Sequence, residues 1–582
     1  MTGIILVLSV ALAAQTEQPK AAGRSQLITD FTCAQPRSGW TDADSTVLKP
    51  ISKPPAGFWR IVDYKTVLYE GRALMTTHPE SCALTIPLHR RGWYAISLGM
   101  SERQYAQAAI EVRLSGDEHW QIFRTSPQDG GGPLHEEPWC FADLSGRDLE
   151  VRYPRDVPAA TGSQGTPLID QFTVASLYSI RLTPVKLEHA ALLEKHRHRP
   201  LVYFNDGTGI FYIAEKAGRH IVDTALGRFA GGDFDTCAFG NAGVDLMNFP
   251  SPAGRLAGTD GWDFVRPGDR RFRDHLVAMA AEGIDPMKQA IDKAHVQQQK
   301  LWMYLRPQAY TAEPPYDHIL HSWFFHEHPE LRCVEANGKP ISKMSVAYPQ
   351  VRDKLNEVVR EGLKRGADGL CIAFNRGYPC ARYEEPILRQ FRDRYGIDTR
   401  TLPDSDPRLR RLWAESVTTW IRDVRRLLDE AGPSAGAQRR ELAVMVGPDF
   451  EWNLRFGFDV ESWAHQSLID VVLPYPYVKD GEIDVAAFVR ALQGTAIPLL
   501  PSLGTYKQEI RVAEIRQRAH RYYKAGADGL SRWDCPGQLA RLRLDDPVQQ
   551  ALWCEHYFPP QQIEMTEYAG QTLAAFGPML GF

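Results

Sequence analysis

Four carboxylates in the polar loops that follow short apolar runs are the candidates for acid and base chemistry. They are Glu384 in Tyr383-Glu384-Glu385-Pro386, Asp449 and Glu451 in Gly447-Pro448-Asp449-Phe450-Glu451-Trp452-Asn453, and Asp534 in Ser531-Arg532-Trp533-Asp534. Comparable positions carry Asn205, Asp206, Arg306, Tyr310, Asn375, Arg376, Asn453, Tyr475, Tyr477, Arg532 and Trp533. Two carboxyl groups, one protonated and one ionised, can break an acetal: the first protonates the leaving oxygen and the second attacks or activates water. Amides and arginines suit hydroxyl groups, and aromatic rings suit the apolar faces of sugars. This kit predicts hydrolysis of glycosidic bonds in a poly- or oligosaccharide, with Glu384 and one of Asp449 and Glu451 as the pair and Asp534 in reserve. Each acid also has a purely structural reading: Glu384 and Glu385 open a helix, where acids favour the dipole, and Asp534 could pair with Arg532.

Asp317, His318, His321, His326 and His328 cluster in one stretch. Their spacing matches no zinc signature and no HExxH is present, so His318 is read as a substrate contact and no metal or cofactor is expected. The nine cysteines show no CxxC spacing, and Cys371, inside an apolar run, reads as a small buried residue.

These residues need a frame, and the chain supplies one after Pro200. Apolar runs at 201–204, 236–239, 301–305, 370–374, 442–446, 471–473, 498–500 and 530–533 alternate with amphipathic helical stretches. One such stretch has Asp285 as N-cap, Pro286 at N1, and Met287, Ala290, Ile291 and Ala294 at helical spacing. Eight strands alternating with helices predict an α/β fold, a (β/α)8 TIM barrel whose chemistry sits on the loops after the strand C-termini. The string Gly-Ala-Asp-Gly-Leu occurs at 366–370 and again at 526–530, 160 residues apart. At roughly 40 residues per βα unit that is half a barrel, so each copy marks the entry to a strand. No GxGxxG follows the first strand, which removes the main dinucleotide reading.

Before the barrel, short β runs at 66–69, 83–86, 93–96, 110–114, 149–151 and 179–182 predict an antiparallel β-sandwich. Trp93, Trp120 and Trp139 fit that sandwich as buried aromatics better than as a sugar platform. The organisation expected is a signal peptide at 1–14, the sandwich at 30–185, a basic linker at 186–199, the barrel at 200–560 and a tail at 561–582. The apolar stretch 4–14 with Ala11-Leu12-Ala13 predicts export, so a secreted or periplasmic protein, although no Lys or Arg precedes it. A net charge of −4 without long single-sign runs points away from nucleic acid and anionic membranes, leaving a carbohydrate as the partner. Nothing in the sequence sets an oligomeric state.

Over residues 200–558 the chain resembles the glycoside-hydrolase-family-10-like barrels of secreted bacterial proteins. The residues that carry this are Lys364-Arg365-Gly366-Ala367-Asp368-Gly369-Leu370, Phe374-Asn375-Arg376-Gly377, and Tyr383-Glu384-Glu385-Pro386 with Phe391 and Tyr395-Gly396. Leu301-Trp302-Met303-Tyr304-Leu305-Arg306-Pro307 and Ile469-Asp470-Val471-Val472-Leu473-Pro474 are similar to the same group, and the sandwich, through Arg91-Gly92-Trp93-Tyr94-Ala95-Ile96 and Ala142-Asp143-Leu144, resembles a galactose-binding-type module. The resemblance implies a barrel, export and a carbohydrate substrate. It does not carry over a catalytic pair, because Asn375 precedes Arg376 where an Asn-Glu pair belongs and strand seven runs into Pro501-Ser502. Two other classes stay open: a non-catalytic carbohydrate-binding barrel and a metal-dependent hydrolase.

Overall fold

The computed structural model describes residues 24–42, 58–101, 106–124, 134–155, 172–195, 197–259, 264, 266–312, 317, 320–436, 439–477, 482–504, 511–560, 562–568 and 571–572. The expected signal peptide and His318 lie outside the described residues. Seven parallel strands form the barrel sheet, in the spatial order Val471–Pro474, Glu441–Val446, Gly369–Ala373, Lys300–Leu305, Thr236–Gly240, Leu201–Asn205, Leu530–Arg532. Its two edges are joined by residues 498–503. Leu499 bridges Val472 and Ser502 bridges Ser531, with Leu500 N–H on Val472 O at 2.9 Å and Leu503 N–H on Ser531 O at 2.8 Å. Pro498 and Pro501 have no N–H to donate, which thins this stave, the seventh of eight in chain order, to isolated bridges rather than a ladder.

A repeated two-point clamp sets strand register. Asp235, Asp368, Asp470 and Asp528 each precede an even-numbered stave, and each donates its own N–H to the carbonyl of a leucine opening the odd-numbered stave before it: Leu201, Leu301, Leu442 and Leu499. The N–H of the same leucine returns to the aspartate Oδ2, at 3.4, 2.8, 2.7 and 3.0 Å respectively. This explains the repeated pentapeptide residue by residue. Gly366 (φ 98°) and Gly526 (φ 101°) end their helices in the left-handed half of the map. Ala367 and Ala527 are buried, and Asp368 and Asp528 are the clamps. Gly369 and Gly529 pass so near Glu441 O and Pro200 O that a Cβ would overlap them, and Leu370 and Leu530 enter the core.

Along each strand, alternate residues divide between two cores. Val202, Phe204, Ala238, Trp302, Tyr304, Cys371, Ala373, Ala443, Met445, Val471, Leu473, Tyr475, Leu500 and Trp533 fill the barrel interior. Their neighbours, such as Tyr203, Phe239, Met303, Ile372 and Val444, pack under the helices. The helix predicted from Asp285 runs Pro286–Val296, with the Asp285 side chain accepting from Lys288 N–H. No helix among the described residues is long and apolar enough to cross a membrane.

The preceding region is the expected sandwich, antiparallel except where Phe172–Leu177 runs parallel to Ala106–Leu114 and Trp40–Asp42 parallel to Trp59–Thr66. One sheet holds Gln26–Ile28, Ser179–Pro184, Trp93–Ser101 and Leu134–Asp143, and the other is built around Trp59–Thr66, Glu70–Thr76, Phe172–Leu177 and Ala106–Leu114. Two details differ from the sequence reading. The run 66–69 is the hairpin turn, because Thr66 Oγ1 accepts the N–H of Leu68 and Tyr69 and folds the chain back. The presumed tail returns to the sandwich, where Met565–Tyr568 pairs antiparallel with Trp59–Thr66. Arg516 of the barrel is fully buried and donates to Pro138 O and Trp139 O, tying the sandwich to the barrel.

Asp528→Ala should lower the urea midpoint by the equivalent of about 1–3 kcal/mol, since the buried Leu499 N–H loses its acceptor. Gly529→Ala should cost at least as much, because its obstacle is backbone. An unchanged midpoint in both would show that the clamp carries no weight.

Candidate active site

The same alternation that fills the barrel decides what reaches its mouth. Continuing the inward-facing positions beyond the strand ends gives Asp206 after Phe204, Arg306 after Tyr304, Asn375 after Ala373 and Tyr475 after Leu473. Beneath them lies an aromatic floor. Trp533 stacks on Phe204 (centroids 5.6 Å, 12°), meets Tyr304 edge to face at 5.1 Å and lies 5.5 Å from Tyr475. With Trp533 and Phe204 both buried, this is a floor and not an open stacking platform.

The polar atoms above that floor are short of partners. The hydroxyls of Tyr304 and Tyr475, and both amide atoms of Asn375, are buried with no hydrogen-bond partner among the described residues. Leaving such groups unpaired costs about 1–3 kcal/mol each, so unpaired groups gathered at one opening call for a ligand. Arg376 is exposed and lies over the Tyr477 ring at 4.5 Å. Arg306 donates Nη2 to Ala242 O. Asn205 Oδ1 accepts Gly207 N–H, and Asp206 Oδ1 accepts the N–H of Thr208 and Gly209. Among the described residues Asp206 Oδ2 has no hydrogen bond.

Asp534 is the most perturbed acid of this group. Its backbone holds φ at 43°, a left-handed conformation unusual outside glycine, and such strain concentrates at functional sites. Asp534 is exposed by area, although protein crowds its carboxyl. That crowding, and then the charge of Asp206, push its pKa up to about 7 against the opposing effects of Trp533, Arg532 and Arg376. Asp206 and Asp534 are brought together because the first and last strands are paired, Tyr203 opposite Arg532. Arg532 is buried and its guanidinium fills the space a Cβ on Gly504 would take. Burial, and then Asp534, also raise the Tyr475 phenol.

The other acids expected at the site are engaged elsewhere. Glu384 is buried and accepts from Ser345 Oγ and, at 3.0 Å to each oxygen, from Arg382 N–H. Burial raises its pKa, but the groups around it belong to the Cys333, Ser345 and Arg382 loops rather than to the mouth. Asp449 caps the helix Phe450–Arg455 through Trp452 N–H. Glu451 is exposed and pairs with Arg410 on the outer face at 2.6 Å. Asn453 is consumed by Gly447 and Asp449 backbone. Tyr310 is buried against Phe324, its hydroxyl near Asp245. His321 and His326 stack at 4.0 Å, and among the described residues no group of three or more His, Cys, Asp or Glu is placed to hold a metal. In the sandwich, Trp120 lies between the guanidinium groups of Arg113 and Arg152, at 4.5 and 4.3 Å, and Trp139 is buried.

Tyr304 is the mouth residue that the sequence reading missed. It lies inside the strand Lys300–Leu305, and only the inward parity of Trp302 and Tyr304 signals its place.

No protein-family model matches the chain, and no curated protein matches it. Among solved structures, the α-galactosidase TtGalA of Thermus thermophilus aligns at 11% identity over 83% of this chain and 92% of its own, with a TM-score of 0.32. The β-amylase catalytic domain of Paenibacillus polymyxa aligns at 7% identity over 62% and 97%, with a TM-score of 0.40. A GH18 chitinase of Pseudoalteromonas aurantia aligns at 12% identity over 61% and 98%, with a TM-score of 0.29. The likeness is to glycoside-hydrolase barrels in outline, not to family 10 in particular, and it carries nothing about chemistry.

The raised Asp534 pKa has a signed consequence for stability. From about pH 4 to about 7 the folded state keeps a proton that the unfolded chain releases, so stability from this group is present at low pH and lost as pH rises to 7. Asp534→Asn, which mimics the protonated form, should therefore gain on the wild type across that window in urea unfolding and hold the gain above it. A difference that stays flat with pH would refute the shift.

Proposed function

We propose that the chain is a glycoside hydrolase whose working pair is Asp534 and Asp206. The observation that carries this is the Asp534 carboxyl, held in a strained turn beside a second carboxylate at a mouth of unpartnered hydroxyl and amide groups. Asp534, protonated up to about pH 7, would donate to the glycosidic oxygen as the bond breaks. Asp206, fixed through Oδ1 by two backbone N–H groups, would present Oδ2 to the anomeric carbon or to a water. The hydroxyls of Tyr304 and Tyr475 and the Asn375 amide would bind sugar hydroxyls, and Tyr477 a ring face. This moves the acids from strands four and seven, where the family 10 resemblance would put them, to the paired strands one and eight. Export, and a division into a sandwich accessory region and a catalytic barrel, belong to the same proposal.

A second reading, sugar binding without cleavage, is favoured by Asn375-Arg376 standing where family 10 barrels carry an acid. One assay separates the two. On a panel of poly- and oligosaccharides, Asp534→Asn and Asp206→Asn should each lower kcat about 10²–10⁴-fold while leaving binding in place. The wild-type kcat/KM should fall as pH rises through about 7, where Asp534 gives up its proton. Glu384→Gln should act on stability instead. Glycan binding with no wild-type turnover would favour the second reading, and full activity of Asp534→Asn would overturn the first.

A further inference from the structure

Away from the mouth, a second group of titratable side chains sits where the sandwich, the linker and the end of the barrel meet. The linker folds as the short helix Leu187–Leu193, and the helix Pro547–Leu552 at the end of the barrel runs into a π-helical turn, Trp553–Tyr557. A small core joins the three parts: Ala95 and Phe141 from the sandwich, Leu193 from the linker, and Leu552, Trp553 and Tyr557 from the barrel. Phe141 packs on Trp553 at 4.6 Å and on Tyr557 at 5.5 Å. A π turn rotates the side chains that follow it around the helix axis, and such turns gather at functional positions. Here the turn presents His556 and Tyr557 to the linker helix.

Two contacts hold the linker to that turn. The Tyr557 hydroxyl accepts Lys186 N–H at 3.0 Å and meets His189 Nδ1 at 2.8 Å, and the His189 and His556 rings lie 4.6 Å apart at 30°. His189 and Tyr557 are both buried. A neutral Nδ1 can take the phenol proton, whereas a protonated Nδ1 must donate and the phenol proton loses that acceptor. Two facing imidazoles also repel once both carry charge. The charged and titratable groups around the His189 ring are His556 and Tyr557 on the turn and Lys186 and Glu188 on the linker, while Glu555 turns to His520 at 3.3 Å. Burial first, and then His556, hold the His189 pKa below the ordinary histidine value, with Lys186 acting the same way and Glu188 opposing.

We infer that His189 and His556 form an acid-sensitive latch, which fastens the linker helix to the end of the barrel while the rings are neutral and releases it as His189 takes a proton. The latch is independent of what the mouth binds or cleaves. Its sign follows from the lowered histidine: the contribution to stability is whole above the ordinary value of about 6.5 and is lost as pH falls through the folded value.

The test is hydrogen exchange, read by mass spectrometry on the full chain from about pH 7.5 to about pH 5, with rates corrected for the intrinsic pH dependence of exchange. Protection of segments 186–194 and 553–558 should fall about 2- to 10-fold, the worth of one net hydrogen bond. The histidine-free helix Pro407–Glu430 should hold its protection over the same range. His189→Asn, which keeps an acceptor near the Nδ1 position and takes no proton, should abolish the fall. His556→Phe, which keeps a ring and removes the charge, should reduce it. Should either variant fail to fold, NMR titration of the His189 ring in the wild type decides: a midpoint below about 6.5 supports the latch and one at or above it overturns it. Unchanged protection at the joint, an equal fall in Pro407–Glu430, or a fall that persists in His189→Asn would each overturn the inference.

Discussion

Closing a parallel sheet on itself requires every strand to begin at a fixed height beside its neighbour, because a one-residue slip turns each inward side chain outward. Here four aspartates set that height. Asp235, Asp368, Asp470 and Asp528 each grip both backbone groups of one leucine on the preceding strand, joining staves one to two, three to four, five to six and seven to eight. The barrel is thereby built from four clamped strand pairs. The stave that most needs such help is the seventh, where two prolines remove ladder hydrogen bonds and the Asp528 clamp on Leu499 supplies contacts at its start.

With register fixed at one end of the barrel, the composition of the other end follows. Inward parity stacks Phe204, Tyr304, Tyr475 and Trp533 into a dense aromatic floor and sets Asp206, Arg306 and Asn375 above it. A low-dielectric floor penalises charge, so the protein crowded around Asp534, together with the charge of Asp206, favours the protonated form of that acid. The left-handed turn at Asp534 is what carries its carboxyl off the strand into that position.

Much of this was legible from sequence, because a parallel barrel writes each strand as an apolar run and each helix end as a glycine. The strands emerged close to their observed limits, and the pentapeptide at 366–370 and 526–530 marked two of the four clamps. The other two, Asp235 and Asp470, share only the aspartate, so repetition of letters could not reveal them. The acids were harder. Glu384, Asp449 and Glu451 lie in rim loops, as a catalytic residue should, but proximity to a strand end says nothing about which way a loop turns them. Glu384 turns to Ser345, Asp449 caps a helix and Glu451 faces Arg410. Parity counted from the strand would have ranked Asp206 and Tyr304 above them. The turn at Thr66, closed by its own hydroxyl, was hidden for a similar reason, since β-branched residues suit strands and such turns alike.

The account stands on one electrostatic claim, that Asp534 carries its proton near neutrality because protein crowds it beside Asp206. Carbon-13 titration of the aspartate carboxyl carbons, with the Asp534 signal assigned by its loss in Asp534→Asn, measures this without any substrate. The account predicts a midpoint of about 7 in the wild type and a clear fall when Asp206 is replaced by Asn. A midpoint of about 4, the ordinary aspartate value, or one that does not move in Asp206→Asn, would contradict it.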